Sequence, residues 1–199
     1  MNMSIKKTGT SLLAMALILS TGCSLGGSST TSTTSGVEQS VLQTYSADDY
    51  QITVPKAWSV IKKQEFTSDV PQNAVIAFQA NRKNEIFLAN VNITRNTLSQ
   101  TLEPLDYGKV VVANQKNTLQ NFVEKNREEF DTTIKGNKKK VLMVTFEGKR
   151  TTTDPLITFV QTYYLYDRTA YIITGAYASS EDPAVQTETS DIVRSFSIK

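Results

Sequence analysis

Carboxylates, tyrosines and a single thiol are the side chains of this 199-residue sequence whose grouping could support chemistry. There is no histidine, which removes Ser-His-Asp and Cys-His nucleophilic sites and the His-bearing zinc sites together. Acids adjoin at Asp48-Asp49, Glu128-Glu129 and Glu181-Asp182. A glycosidase needs two carboxyl groups facing each other at ~5–9.5 Å across a cleft, so sequence neighbours read as solvated. Carboxylates that converge in space, or a Ser-Lys pair, stay open as an alternative. No phosphate-cradling Gly loop and no calcium-loop spacing of acids occurs. No catalytic residue, cofactor or metal is therefore assigned.

Five of the eight tyrosines (Tyr163, Tyr164, Tyr166, Tyr171 and Tyr177) fall in two adjacent strand candidates. Tyrosine suits half-buried strand surfaces, so packing is the first reading. Its apolar body and polar tip also suit an exposed ligand face, and Tyr164, Tyr166 and Tyr171 are the candidates for one.

Charge narrows the partners. Lys6 and Lys7 are the only charged residues before Cys23; without them the 21 basic side chains become 19, against 19 acidic. A near-neutral chain has no field for nucleic acid. The short run Lys138-Lys139-Lys140, with Lys135 nearby, reads as a solvated turn face.

The thiol has its own context. Met1 to Lys7 is a basic n-region, Leu12 to Leu19 an uninterrupted apolar run, and Ser20, Thr21 and Gly22 lead into Cys23. That order is a secretory signal peptide over 1–22, and the apolar run is short of the ~20 residues a membrane span needs. Leu19-Ser-Thr-Gly-Cys23 resembles the lipobox of bacterial lipoproteins, with Ser20 standing where Leu is usual. The resemblance implies cleavage between Gly22 and Cys23 and acylation of the thiol, hence a membrane partner reached through lipid. Two or more acyl chains hold firmly at ~0.8 kcal/mol per buried methylene. Residues 23–40, rich in Ser, Thr and Gly, are too polar to fold and read as a tether with a span of about 20 Å.

Residues 41–199 must supply the domain. Strands are predicted at Tyr50–Val54, Ala74–Ala80 and Glu85–Thr94, the last two joined through Asn81–Asn84. The last of these puts Phe87, Ala89, Val91 and Ile93 on one face. Val112, Leu119, Phe122, Val123 and Phe130 predict the main helix over 107–130, with Asp106 as its cap. Three strands follow, Val141–Lys149, Leu156–Tyr166 and Thr169–Ala178. The two-residue connection Asp167-Arg168 pairs Tyr166 with Thr169 and Tyr164 with Tyr171. A closing helix is predicted over Pro183–Ser195. Short hairpins mean a mainly antiparallel sheet, and its faces need helices over them: an α+β layered domain.

Tyr50-Gln-Ile-Thr-Val-Pro-Lys-Ala-Trp58 resembles the opening of the PsbP-like superfamily, as do Gly136 before a strand, Gln161, Tyr171-Ile-Ile-Thr174 and the ending Ile192-Val-Arg-Ser-Phe196. Lys139 stands where the family tends to place a small residue. The resemblance implies an antiparallel sheet sandwiched between helices, and a binding or assembly role without catalysis. The leading expectation is thus a lipid-anchored, extracytoplasmic binding module for a protein or envelope component; the alternative is a cell-envelope hydrolase. Trp58 is expected to pack in the core.

Overall fold

The computed structural model describes residues 41–67, 70–82 and 84–199; the leader, Cys23 and the tether lie outside the described residues. The chain runs β1 (Leu42–Ser46), β2 (Tyr50–Pro55), β3 (Ser59–Lys62), β4 (Ala74–Gln79), β5 (Asn90–Thr97), α1 (Pro104–Thr118), β6 (Gln120–Ile134), β7 (Asn137–Lys149), β8 (Ile157–Tyr166), β9 (Thr169–Ala178), α2 (Pro183–Arg194) and β10 (Ser197–Ile198). A seven-stranded sheet has the order β3-β4-β5-β9-β8-β7-β6, and every pairing in it is antiparallel. A second sheet, β1-β2-β10, joins the start of the domain to its end.

The large sheet is covered on both faces. Val111 and Val112 of α1 pack with Leu142, Phe146, Phe159, Tyr163 and Ile172 on one side. On the other, Val185, Ile192 and Val193 of α2, with Tyr50, Ile52 and Val54 of the small sheet, pack on Ile76, Val91, Val160, Tyr164, Tyr171 and Ile173. The expected sandwich is present, and the small sheet shares one outer layer with α2.

Local chemistry explains the elements. The β8–β9 hairpin has the expected register, Tyr166 with Thr169 and Tyr164 with Tyr171. Asp167 takes a positive φ of 54°, the left-handed conformation that aspartate tolerates better than most residues, and so opens the two-residue connection. Lys135 and Gly136 both have positive φ, as a I′ turn requires, and reverse the chain between β6 and β7. Asp182 Oδ1 accepts from the Ala184 N–H at 2.7 Å and Pro183 follows, so α2 begins on a side-chain cap.

Two expectations are corrected. The helix predicted over 107–130 ends at Thr118, and Gln120–Ile134 is a long edge strand. Register shifts at Gln120/Val123 and Glu124/Asn126 are bulges that switch the buried face, so Phe122 packs with the α1 layer and Phe130 with the α2 layer. Strand periodicity is thereby scrambled, and the charges that guard an exposed edge are also good helix formers. The helix also starts earlier than expected. Glu103 is its N-cap, without a side-chain bond, and Pro104 opens it, so Asp106 lies within the first turn. The strand predicted from Glu85 begins at Asn90 instead. The Asn84 side chain accepts from the Ile86 and Phe87 N–H groups at 2.9 and 3.3 Å, which holds this stretch in a turn. Phe87 consequently packs in the α1 layer, apart from Ala89, Val91 and Ile93.

Burial sets the alkaline limit of this fold. It raises the phenols of Tyr107 and Tyr164 to about 12 and pushes those of Tyr50, Tyr163, Tyr171 and Tyr177 upward as well. An unfolded phenol ionises near 10, so this stabilisation is complete below about pH 10 and is lost as pH rises toward 12. In a pH titration, phenolate absorbance from these tyrosines is expected to appear together with loss of β-sheet circular dichroism. Smooth titration at about pH 10 in a fully folded protein would contradict it.

Candidate binding cleft

Residues Ile192 and Val193 fix α2 to the sheet, and this places Glu188 and Asp191, one helical turn apart, along its outer side. Opposite stand Thr53 and Pro55 of β2 and Leu42, which is in register with Pro55 on β1. Between them lies a cleft of about 290 Å³, with Ile192 and Ser195 completing its lining. Leu42 and its neighbour Val41 are 60% and 65% exposed, the highest values among the exposed large hydrophobic side chains of the described residues.

Ser195 closes one wall. β10 bonds β2 only at Tyr50 and Gln51, so at Thr53 the same β2 edge needs other partners. The Ser195 hydroxyl supplies them: it accepts from the Thr53 N–H at 2.9 Å and stands 3.1 Å from the Thr53 carbonyl and 2.8 Å from that of Ile192, to which it can donate. This hydroxyl is committed to the backbone. Ser195→Ala is expected to lower stability by about 1 kcal/mol, read as a lower denaturant midpoint with an unchanged slope. An unchanged midpoint would refute the clamp.

Glu188 is held from behind. The indole N–H of buried Trp58 donates to its Oε2 at 3.1 Å, and Arg82 reaches its Oε1 at 3.4 Å. Trp58 thus packs in the core as expected and also steadies one cleft carboxylate.

The tyrosine candidates do not form one exposed face. Tyr164 and Tyr171 are buried, in ring contact with Phe196, while Tyr166 is 47% exposed at the hairpin end with Lys135 over its ring. The strands alternate, and α2 with the small sheet covers the face that carries Tyr164 and Tyr171. Tyr171 donates its hydroxyl to Asp49, which also pairs with Arg95 at 3.3 Å.

The acid pairs separate. Glu128 is engaged by Arg194 and Glu129 lies 3.8 Å from Lys109; Glu181 accepts from Asn84, whereas Asp182 caps α2. The lysine run is partnered, Lys138 and Lys140 with Asp131 and Lys139 with Glu103. Among the described residues no group of three or more acidic, His or Cys side chains is placed to hold a metal ion. No helix of the described residues is long and apolar enough to cross a membrane.

The sequence reading missed Glu188, Asp191, Ser195 and Leu42. The closing helix and the strand from Tyr50 were legible; their meeting across a cleft was not.

No family model matches the sequence, and no curated protein matches it. Solved structures do. The cyanobacterial PsbP (CyanoP) of Synechocystis sp. PCC 6803 aligns with a TM-score of 0.55 at 14% identity, over 84% of this chain and 98% of its own. LpqN of Mycobacterium tuberculosis, described as involved in cell envelope biogenesis, aligns at 0.52 and 11%, over 82% and 87%. The Saccharomyces cerevisiae Ran-binding protein Mog1p aligns at 0.51 and 10%, over 79% and 95%. Identities this low establish a shared fold. The described domain has the PsbP-like fold shared with Mog1p, as the resemblance in its sequence implied.

Proposed function

We propose that this chain is a lipid-anchored, extracytoplasmic bacterial protein whose domain binds a protein or envelope component without catalysing a reaction. Cys23 is the acylated residue, cleavage falls between Gly22 and Cys23, residues 23–40 are the tether and 41–199 the binding domain. The observation that carries this reading is the cleft, because an open groove with apolar and acidic walls is a surface to be filled. Its lining begins at Leu42, immediately after the tether, so a span of about 20 Å would keep it close to the bilayer. The fold supports the same reading, since it also serves a Ran-binding protein and a protein of envelope biogenesis.

Anchoring is tested directly. Cys23→Ser is expected to move the protein from the membrane fraction to the soluble fraction, and mass spectrometry of the native protein to find an acylated N-terminal cysteine. An unmodified thiol, in a protein that salt alone strips from the envelope, would overturn the reading.

A further inference from the structure

We infer that the cleft receives a lysine or arginine side chain presented by an extended segment of a protein partner. The inference deepens the binding reading above and rests on it. Its first support is charge. The two ionisable residues that line the cleft, Glu188 and Asp191, are both acidic. Asp191 lies in the last turn of α2, where the helix dipole adds a partial negative charge. Arg82 forms an ion pair with Glu188 Oε1 at 3.4 Å, so the charge offered to a partner comes mainly from Asp191, and the guanidinium of Arg194 is engaged by both carboxylate oxygens of Glu128, at 3.0 and 2.5 Å.

The second support is shape and polarity. Leu42, Pro55 and Ile192 line the same space as the carboxylates. A long basic side chain is matched to that combination, since its methylene stem lies along apolar surface while its head seeks a carboxylate. A volume of about 290 Å³ sits at the lower limit of pockets that enclose whole small ligands, so it suits part of a larger molecule. Exposed Leu42 carries the apolar lining out to the rim, which favours apolar residues beside the basic one.

The probe is an acetylated, amidated hexapeptide alternating lysine and leucine, with glutamate replacing lysine in the control and spermine as a small polycation. Trp58 is the only tryptophan of the chain and bonds Glu188, so its emission reports occupancy. Backbone amide shifts of β2 and α2 give a second readout. The lysine peptide is expected to bind saturably and more weakly as salt rises, and the glutamate peptide not to bind. Asp191→Asn is expected to weaken binding about fivefold, the effect of one exposed charge pair, and Asp191→Lys to abolish it. Asp191 is exposed, so both variants keep the fold, which their melting temperatures check. No binding of the lysine peptide, equal binding by Asp191→Lys, or equal occupancy by spermine would each overturn the inference. The broader reading fails separately, through the modification state of Cys23 and through crosslinking from the cleft in native membranes.

Discussion

Gly175→Ala is expected to destabilise the domain by about 1–3 kcal/mol, and Gly175→Val by more. Gly175 lies on β9 where α2 crosses it, and a Cβ there would stand 2.5 Å from Thr189 Cγ2 and 3.0 Å from Val193 Cγ2. Neither neighbour can turn aside cheaply. Both are β-branched, and the Thr189 hydroxyl donates to the Val185 carbonyl at 2.7 Å, which fixes its rotamer. The helix itself must move, and one wall of the cleft moves with it. Thr189→Ser removes the clashing methyl, so the double variant with Gly175→Ala should recover more stability than the sum of the single effects predicts. Thermal or chemical denaturation of the four proteins measures that coupling. Strict additivity would show that the close approach of helix and strand is not what requires glycine at 175.

Gln161→Leu is expected to cost about 3–5 kcal/mol, because it leaves three buried groups without their partner. The Gln161 Oε1 accepts from Gln115 Nε2 at 2.8 Å and from the Tyr163 hydroxyl at 2.7 Å, while its Nε2 donates to Thr174 Oγ1 at 2.9 Å. All four residues are buried, so water does not replace the lost bonds without entering the core. Through Gln115 this network ties α1 to the centre of the large sheet. At about 2–4 °C per kcal/mol for a domain of this size, the melting temperature should fall by roughly 6–20 °C. Adding Tyr163→Phe removes one stranded hydroxyl and should restore part of the loss. A shift below about 2 °C for Gln161→Leu would mean that the network contributes little.

The parts of the fold that were legible in sequence share one property: their signals are local. The β8–β9 register follows from a two-residue connection, and α2 follows from Pro183 ahead of Val185, Ile192 and Val193. β6 was illegible because its two bulges break the alternation that identifies a strand, while Glu124, Lys125, Arg127, Glu128 and Glu129 favour helix when taken alone. Asn84 hid the true start of β5 by folding its side chain onto the next two amides. The tyrosine group showed two strands but not their covering. Whether Tyr164 and Tyr171 face solvent depends on α2 and Phe196, which arrive later in the chain.

The cleft was beyond sequence for a related reason. It joins Leu42, Thr53 and Pro55 from the beginning of the domain to Glu188, Asp191 and Ser195 from its end, and no short-range pattern connects them. The pairing of β10 with β2 and the Ser195 bond to Thr53 bring the two ends together. Cys23 is the opposite case, a position read from local order alone, and its modification is the chemical premise of the anchoring proposal.

Site-specific photocrosslinking in native membranes reads out whether the cleft of the anchored protein holds a partner. The photoreactive side chain replaces Leu42 in the cleft and, as the control, Thr152 in the exposed loop between β7 and β8. One discrete adduct is expected from the Leu42 position, competed by the lysine–leucine peptide, absent from the Thr152 position, and lost with Cys23→Ser. Identical adducts from both positions, or none from Leu42 in a correctly acylated protein, would contradict the binding reading.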